Sequence, residues 1–492
     1  MMRIFNRLFW LPLLVLSLVQ SQSADFNFQR YIQTQETTGL LKNAQWSLYA
    51  IYADSKKPVI EHNIRFALAP ASCLKLITTG AALKILGADY TFKTCVLTDG
   101  FIAPNGQIKG NIILKGGGDP TLGSAVVPGS LPLDSLFLSW VQALKQKGIR
   151  RIEGDIIADA TLFDPHPIPD NWAWVDMGNY YGASSPALSI HDNLYYLIFK
   201  PSRTVGQPAA ILATRPYISG LSFENHVLTG PAGSGDNAYI YCAPQQFKAR
   251  VFGTVPAGVD SFTIKGSIPD PALFAAQYFL TFLQKNGINV TGKALTLKKP
   301  ARTRRQILLA ETTSPPLKKI IEQINKRSIN LYCEMLVKAI SIERGGNGNT
   351  KHGLNVIKKT LEDLKVNTEG LHLSDGSGLS RTNAITVRTM VEFLNAMRHD
   401  EQFTDYLHSL SLAGDPNDVG YFKKWGVGTK LAKNARLKSG LIESVRSHSG
   451  YLRDSSGRWI IFSFIANNFD GHFSAIDRIH ESLLIQLSNL EN

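Results

Sequence analysis

The sequence has little of what defines several common classes of protein. Four cysteines in 492 residues are too few for a disulfide framework, although one pair could oxidise outside the cytoplasm. Neither Cys-x-x-Cys nor His-x-x-x-His spacing occurs, so the cysteines and the eleven histidines do not predict a metal site. The glycine-rich stretch 116–118 lacks the spacing and the following helix of a nucleotide-binding fingerprint. We therefore expect no metal ion and no cofactor.

Long apolar runs are equally scarce. Residues 8–19 are mostly apolar, a run shorter than the ~20 residues that a membrane-spanning helix needs. Arg3 and Arg7 precede this run and small residues follow it, which predicts a signal peptide over 1–23 that is cleaved near Ala24. A retained membrane anchor is the alternative. No second run of ~18 apolar residues occurs, so we expect a soluble mature protein, periplasmic or secreted.

The overall composition is that of a globular protein with a basic surface. Hydrophobic residues make up 44% of the chain and charged residues 18%. At this length we expect two or three domains rather than one core. The formal net charge of +13 predicts peripheral contact with membrane phospholipid or anionic wall polymer. No nucleic-acid motif accompanies the charge, so nucleic acid is not an expected partner.

The first half of the chain changes in character near residue 90. Before that point, residues 46–52 and 58–62 predict a β-hairpin, and a helix is expected from Ser72 to about residue 86. From about 90 to 300, short β-rich runs are separated by turns. The strands expected there include 108–114, 152–158 and 238–242, and the helices are 133–147 and 271–287.

The second half is mostly helical before it ends in strands and one more helix. A charged, proline-broken stretch at 298–305 is typical of a domain boundary. Helices are expected over 317–343, 354–364 and 387–398. Strands are expected over 435–439, 447–452 and 459–466. A final helix over 475–490 has one apolar face, made of Ile476, Ile479, Leu483, Leu484 and Leu487.

A serine and a lysine at the start of the first of these helices suggest nucleophilic catalysis. Ser72 and Lys75 lie three positions apart just after Pro70, so they share one face of a helix. The Lys75 amine can then take the proton of the Ser72 hydroxyl, which by itself is a weak nucleophile. For this role, burial and the charge of Lys438 must lower the pKa of Lys75 below its usual value of about 10.4. Taken alone, the pair also fits an ordinary capped helix start.

Two later motifs supply the remaining groups that acyl transfer needs. Ser328 and Asn330 fall within a helical pattern, and the triplet 438–440 lies on the first of the late strands. Acyl transfer from a peptide requires a nucleophile, a base, a proton relay to the leaving amine and a cation for the substrate carboxylate. In that order, the candidates are Ser72, Lys75, Ser328 and Lys438.

Three neighbouring residues are expected to assist these four. Asn330 can orient Lys75 or the substrate amide, and Ser439 can bind the terminal carboxylate. Gly440 would let the substrate backbone lie close to the strand. Each motif by itself also fits a structural role, as a helix cap or as the end of a surface strand.

The order of these motifs is shared by serine β-lactamases and penicillin-binding proteins. The chain resembles the class C low-molecular-mass penicillin-binding proteins, the D-alanyl-D-alanine carboxypeptidase/endopeptidases of the bacterial envelope. Three further stretches, 116–122, 172–177 and 375–381, are similar to signatures of that family, and the likeness covers the mature chain. Two departures are small, since Ile329 stands where aspartate is commoner and Ser439 where threonine is.

The resemblance implies an α/β (α+β) fold. Its catalytic domain would be β-lactamase/transpeptidase-like, with an antiparallel sheet and helices. Ser72 and Ser328 lie more than half of the chain's length apart, which implies a large β-rich insertion between them. In the family this insertion forms two extra domains, one nested in the other. We therefore expect the catalytic domain in two parts, 24–89 and 301–492, around an insertion over 90–300.

The resemblance also implies substrates. It predicts serine-type D-Ala-D-Ala carboxypeptidase action on peptidoglycan stem peptides, endopeptidase action on their cross-links, and covalent inhibition by β-lactam antibiotics. Asp176 would meet the side-chain amine of the stem peptide, and Arg381 would meet a substrate carboxylate. On the residues alone, a turn aspartate and a structural loop are the alternatives.

Two other functions stay open at this point. A β-lactamase or esterase could use the same scaffold, although no glutamate segment resembles the class A β-lactamase deacylation loop. A non-catalytic wall-binding protein that retains the fold would not react with penicillin. For the catalytic interpretation, backbone N–H groups of Ser72 and of a residue near Ser439 or Leu441 are expected to stabilise the oxyanion.

Overall fold

The computed structural model describes residues 26–297, 299–300 and 306–491. The predicted signal peptide over 1–23 and most of the charged stretch 298–305 lie outside these ranges. Among the described residues, none of the helices combines the length and the apolar character that crossing a membrane takes.

Helices and strands alternate irregularly along the described residues. The α-helices in chain order are α1 (Phe28–Thr37), α2 (Leu74–Leu86), α3 (Leu133–Gln146), α4 (Trp174–Met177), α5 (Pro271–Lys285), α6 (Leu317–Arg327), α7 (Asn330–Glu343), α8 (Thr350–Asp363), α9 (Val387–Arg398), α10 (Phe403–Ser409) and α11 (Phe473–Asn489). The strands are β1 (Gln45–Tyr52), β2 (Pro58–His62), β3 (Lys93–Thr98), β4 (Phe101–Ile102), β5 (Gln107–Lys109), β6 (Ile112–Lys115), β7 (Arg151–Glu153), β8 (Ile156–Asp159), β9 (Leu194–Lys200), β10 (Ala210–Arg215), β11 (Ser222–Gly230), β12 (Asn237–Tyr241), β13 (Lys248–Pro256), β14 (Phe262–Ser267), β15 (Asn289–Val290), β16 (Ala294–Thr296), β17 (Ile307–Thr313), β18 (Ser411–Leu412), β19 (Arg436–Ile442), β20 (Val445–Arg453) and β21 (Trp459–Asn467).

A six-stranded antiparallel sheet joins the two ends of the chain. Its strand order is β18-β19-β20-β21-β1-β2. The N-terminal hairpin therefore pairs with the last strands. The motif strand β19 lies near one edge, where only the short β18 covers it.

Strand β21 shows why this sheet is buried on both sides. Successive side chains of a strand point to opposite faces. Ile461 and Ile465 belong to a core that they share with α2, α7 and α9, whereas Ile460, Phe462 and Phe464 pack in a second core with α11. All five side chains are fully buried. The sheet is thus the middle layer between helices, which confirms the predicted α+β class.

The first helix of the catalytic motif starts in a tight turn. Ala71–Cys73 form a 3₁₀ turn that leads directly into α2, and α2 ends at Gly87, whose φ of 89° the glycine tolerates without steric cost. Residues 74–83 of α2 are all buried, because α6, α7 and α9 surround the helix. The motif therefore sits on a rigid, central element, as the sequence predicts.

The predicted continuous helix over 317–343 is wrong. The structure has two helices, α6 and α7, which are separated at Ser328. Ser328 has left-handed backbone angles of φ 60° and ψ 40°, which a residue with a β-carbon rarely adopts. The apolar periodicity of the sequence continues through position 328. Neither a glycine nor a proline stands there to indicate that the helix breaks.

Two predicted strands of the insertion are also wrong as single units. Residues 108–114 form β5 and β6, and residues 152–158 form β7 and β8. In each case the first strand joins the sheet β15-β7-β5-β4 and the second joins the sheet β16-β8-β6-β3-β17. Gly110 and Gly154 mark the changes of sheet, where the backbones approach each other too closely for a β-carbon.

The rest of the insertion carries two further three-stranded sheets. Their orders are β10-β9-β14 and β11-β13-β12, and their strands lie between β8 and β15 in sequence. Strand β17 pairs with β3, so the five-stranded sheet of the insertion continues to Thr313, beyond the predicted end at 300. The division of the chain into domains otherwise stays a prediction.

Candidate active site

The structure brings the first motif together as the sequence predicts. Ser72 lies on the 3₁₀ turn and Lys75 on the first turn of α2, with Lys75 Nζ 2.9 Å from Ser72 Oγ. Ser72 is partly exposed, whereas the side chain of Lys75 is fully buried. The hydroxyl can therefore meet a substrate while the amine behind it is shielded from water.

Two carbonyl oxygens complete the surroundings of Lys75. Its amine donates to Asn330 Oδ1 at 2.6 Å and to the Ser377 carbonyl oxygen at 2.7 Å. Carbonyl oxygens only accept hydrogen bonds. In the neutral amine, the two N–H groups can therefore point to these oxygens, and the lone pair is left to face the hydroxyl of Ser72. This is the arrangement that a base for Ser72 needs.

Burial favours the neutral form of Lys75. Desolvation lowers the pKa of Lys75 below its ordinary value, and the carboxylates of Asp375 and Glu334 act in the opposite direction. At Lys438, burial and then the charge of Lys75 lower the pKa to about 7. The prediction that the charge of Lys438 lowers the pKa of Lys75 is not supported, since Lys75 acts on Lys438 instead, and burial is the main cause at both.

The second and third motifs meet across the cleft from Lys75. Lys438 Nζ donates to Ser328 Oγ at 3.0 Å and to the Ser439 carbonyl oxygen at 2.6 Å. The left-handed turn of Ser328, between α6 and α7, presents its hydroxyl to this amine. Asn330 opens α7, and its Nδ2 donates to the Tyr181 carbonyl oxygen at 2.8 Å, which fixes the amide that holds Lys75.

Strand β19 runs directly beside the nucleophile. A β-carbon at Gly440 would lie 2.9 Å from Ser72 N and 2.5 Å from the Pro70 carbonyl oxygen, which is closer than real β-carbons come. The glycine is therefore needed for the close approach of β19 to the Ser72 turn. Cys73 supports the same contact, since its buried thiol donates to the Lys438 carbonyl oxygen at 3.2 Å. This buried position is that of a packing residue, and all four cysteines are free thiols.

One cleft of about 600 Å³ gives access to these groups. It is lined by Ser72, Ser328, Lys438 and Ser439, and also by aromatic side chains and two arginines, Arg327 and Arg446. Those additional residues include Tyr180, Tyr421, Phe473 and Arg446. Nucleophile, relay and anchor candidates thus face one space that is large enough for a short peptide.

Asp176 and Arg381 lie outside this group but are connected to it. Asp176, in α4, is hydrogen-bonded to the side chain of Tyr181, whose carbonyl contacts Asn330. Burial raises the pKa of Asp176, and Tyr181 and Arg381 act against that shift. Arg381 is half-exposed and pairs with Glu443, at 3.0 Å, on the turn after β19. Their predicted substrate contacts stay predictions.

The sequence analysis missed the groups beneath Lys75. Glu334 accepts hydrogen bonds from Gly376 N at 3.0 Å and Ser377 N at 2.8 Å, and so fixes the carbonyl that holds the Lys75 amine. Burial, followed by the charge of Asp375, raises the pKa of Glu334 to about 8. The stretch 375–381 indicated this loop, but Glu334 looks like any other residue of a helix.

Asp375 organises the same loop. Its carboxylate accepts from Gly378 N at 2.7 Å, Ser380 N at 2.6 Å and Trp172 Nε1 at 2.9 Å. The stretches 172–177 and 375–381, which the sequence analysis singled out, are therefore joined by a buried contact. The third stretch, 116–122, is a buried turn in which Asp119 accepts from Thr121 N at 2.7 Å.

Comparison with known proteins shows which family the chain belongs to. The family model described as the D-Ala-D-Ala carboxypeptidase 3 (S13) family matches residues 29–483. The chain belongs to this family. A D-alanyl-D-alanine carboxypeptidase of Actinomadura sp. (strain R39) is 32% identical over 413 residues, which cover 82% of this chain and 74% of the relative. The carboxypeptidase DacB of Haemophilus influenzae is 24% identical over 418 residues, or 84% of this chain and 83% of the relative.

Solved structures give the same fold. Penicillin-binding protein 4 (dacB) of H. influenzae superposes with a TM-score of 0.79 at 23% identity, over 92% of this chain and 99% of the other. The predatory endopeptidase Bd3459 of Bdellovibrio bacteriovorus, in complex with its immunity protein, superposes with a TM-score of 0.50 at 15% identity, over 90% and 94%. The predicted family, fold class and D-Ala-D-Ala carboxypeptidase identity are confirmed.

Proposed function

We propose that this carboxypeptidase hydrolyses the terminal D-Ala-D-Ala bond of peptidoglycan stem peptides through an acyl-enzyme on Ser72. The observation that carries the proposal is the position of Lys75 Nζ, 2.9 Å from Ser72 Oγ and held by two carbonyl oxygens. This geometry directs the lone pair of a neutral amine to the nucleophile.

In the acylation step, Ser72 Oγ attacks the carbonyl carbon of the penultimate D-Ala while its proton passes to Lys75 Nζ. The negative charge on the carbonyl oxygen is stabilised by the N–H of Ser72 and by backbone N–H of β19 near Ser439 or Leu441. The close approach of Gly440 to the Ser72 turn supports this assignment.

The leaving amine needs a proton when the carbon–nitrogen bond breaks. Ser328 and Lys438 are 3.0 Å apart and line the same cleft as Ser72, so they provide a route for that proton from Lys75 to the departing D-Ala. Water then attacks the ester carbon and gives a proton to Lys75. The bond to Ser72 Oγ breaks, and Lys75 passes that proton to the serine oxygen, which restores the hydroxyl and releases the shortened peptide as a free acid. Lys438 and Ser439 anchor the terminal carboxylate of the substrate.

We infer that peptidoglycan cross-links are substrates as well. In a cross-link the leaving amine belongs to the side chain of a second stem peptide, and the same acyl-enzyme forms. The cleft is open, and Asp176 together with Arg381 offers charges of both signs for a stem residue that carries an amine and a carboxylate. A related fold occurs in the Bdellovibrio endopeptidase.

β-Lactam antibiotics would acylate Ser72 by the same route and leave slowly. The H. influenzae protein of this fold was solved in complex with a novel β-lactam. A β-lactamase would instead turn penicillin over rapidly, and a wall-binding protein without catalysis would form no adduct. The buried, organised Lys75 favours the catalytic function over that last alternative.

We further propose that the enzyme works in the periplasm after removal of residues 1–23. Removal of Arg3 and Arg7 lowers the formal net charge from +13 to +11, which would still favour peripheral contact with membrane phospholipid or anionic wall polymer. Sedimentation with anionic and with neutral vesicles measures the lipid contact, and equal sedimentation with both would contradict an electrostatic attraction.

The proposed activity is tested with defined muropeptides and mass spectrometry. Loss of one alanine from a pentapeptide reports the carboxypeptidase, and conversion of a cross-linked dimer to monomers reports the endopeptidase. Both reactions should vanish in Ser72→Ala and persist in Ser456→Ala, which changes an exposed turn serine. If Ser72→Ala retains either activity, or binds labelled penicillin as the wild type does, the nucleophile is assigned wrongly.

A further inference from the structure

Arg446 is a buried arginine next to β19, which we call the anchor strand because it carries Lys438 and Ser439. It has no role in the mechanism described so far. Arg446, on β20, is opposite Leu441 on β19, and Ser439 is opposite His448. Directly opposed residues of antiparallel strands share a face, as do residues two apart on one strand. Arg446 is therefore on the same face of the sheet as Ser439, the hydroxyl expected to bind the substrate carboxylate.

The guanidinium of Arg446 is held firmly but is not fully paired. Its Nε pairs with Asp477, and its Nη1 donates to the Gly440 carbonyl oxygen at 3.3 Å. The residue is only 2% exposed, and Nη2 is buried without a hydrogen-bond partner among the described residues. An unpaired buried donor of a charged group is costly in free energy, so such an atom points to a missing ligand.

The surroundings fix this guanidinium at the cleft. Its Cζ lies 4.9 Å from the centre of the Tyr421 ring and 5.3 Å from that of Phe473, and both rings line the cleft together with Arg446. The Tyr421 hydroxyl donates to Asp477 Oδ2 at 2.8 Å. The arginine is thus held between two rings that line the cleft, and its Nη2 has no hydrogen-bond partner among the described residues.

The anchor strand itself offers few groups for a carboxylate. Position 441, two residues beyond Ser439 on the same face, is a leucine and has no hydroxyl. The Lys438 amine already donates to Ser328 and to the Ser439 carbonyl, and burial together with Lys75 lowers its pKa to about 7. An arginine stays charged at every pH at which such an enzyme works. Arg327 also lines the cleft but is exposed, so Arg446 is the buried permanent cation that a carboxylate with two oxygens would find there.

We propose that Arg446 Nη2, together with the Ser439 hydroxyl, binds the free carboxylate of the leaving residue and selects substrates that carry one. This inference rests on the proposed function and deepens it. It names the substrate class as peptides whose leaving residue has a free carboxylate next to the cleaved bond. The same anion would be present on a terminal D-Ala and on a cross-linking residue that is not amidated.

The test compares an acyl-L-Lys-D-Ala-D-Ala peptide with its C-terminal amide. In Arg446→Met we expect kcat/KM for the free acid to fall about 10- to 100-fold, because a charge-assisted hydrogen bond is lost. The already slow amide should change little, so the acid-to-amide ratio of kcat/KM should collapse. Arg446→Lys should restore part of the ratio. Arg453→Met, which changes an exposed arginine on the same strand, should leave it unchanged.

The ratio also separates the possible failures. It is measured within one preparation, so it does not depend on the folded fraction, and Arg446→Lys keeps a positive charge beside Asp477. If wild-type protein removes D-Ala but the ratio is the same in Arg446→Met, Arg446 is only structural and the inference is wrong. If the wild type does not remove D-Ala from the free acid, the proposed function fails first.

Discussion

Two regions of one cleft each contain a buried lysine, and the neighbours of the two amines differ. The base region consists of Lys75, Asn330, Ser377 and Glu334. The anchor region consists of Lys438, Ser328, Ser439 and Arg446. In the base region the amine is surrounded by acceptors and neighbouring carboxylates, whereas in the anchor region the neighbours of the amine include Arg446 and the amine of Lys75.

The difference shows how one residue type serves two chemical tasks. In the base region, burial lowers the pKa of Lys75 and the carboxylates limit the effect, so the amine can lose its proton and still lie in a defined position. In the anchor region, burial and like charge act in the same direction on Lys438. Lys438 loses its charge as the pH rises through its pKa. Arg446 is therefore the more important cation for binding a substrate carboxylate.

The largest effect is expected at the base. Lys75→Met should slow acylation of Ser72 by about 1000-fold, because the hydroxyl loses its proton acceptor. The rate of adduct formation with labelled penicillin measures it. Lys84→Met, on the last turn of the same helix, removes only the ion pair with Asp400 and should acylate normally. Equal rates in wild type and Lys75→Met would show that another group activates Ser72.

A smaller loss is expected at the relay. Ser328→Ala should reduce turnover of the D-Ala-D-Ala peptide about 100-fold, because the leaving amine receives its proton less readily. The nitrogen of a β-lactam also needs a proton when its carbon–nitrogen bond breaks, so acylation by labelled penicillin should slow as well. If peptide turnover is unaffected in Ser328→Ala, the anchor region does not carry the proton.

The charge of Lys438 gives the third prediction. With a pKa of about 7, the amine is protonated below pH 7 and neutral above it. The acid-to-amide ratio of kcat/KM should therefore fall as pH rises through 7, by less than tenfold per pH unit because Arg446 stays charged. Using a ratio cancels the titration of Lys75. A ratio that is constant from pH 6 to 9 would place the pKa of Lys438 elsewhere.

The smallest effect is expected at Asp176, which lies outside the central group of site residues. Asp176→Asn should lower kcat/KM for stem peptides with a cationic third residue by about 3- to 10-fold, since a half-exposed ion pair contributes little. Peptides with a neutral third residue serve as the internal control. An equal loss on both kinds of peptide would make Asp176 a structural residue that acts through Tyr181.

Some residues of the base region could be predicted from the sequence, and others could not. Ser72 and Lys75 could be paired because helical geometry alone brings positions i and i+3 together. Ser377 and Glu334 could not, because a backbone carbonyl has no sequence signal and a carboxylate in a helix is usually exposed. Their role depends on a loop that packs under α2 from a distant part of the chain.

The anchor region and the insertion show a second limit. Ser328 breaks a helix in a left-handed conformation that periodicity cannot reveal, because tertiary contacts with Lys438 stabilise it. Gly110 and Gly154 each divide an apolar run between two sheets, and only the structure shows which strands those halves join. Motif order identified the chemistry, while local pattern alone misplaced the element boundaries around it.

The central claim is that neutral Lys75 activates Ser72, and its protonation state can be followed directly. The Nζ resonance of Lys75 in ¹⁵N-lysine-labelled protein, assigned by its loss in Lys75→Met, should titrate below the ordinary lysine pKa of about 10.4. The rate of Ser72 acylation by penicillin should rise with the same midpoint. If Lys75 titrates together with the surface lysines, or if the acylation rate is independent of its titration between pH 5 and 9, Lys75 is not the base.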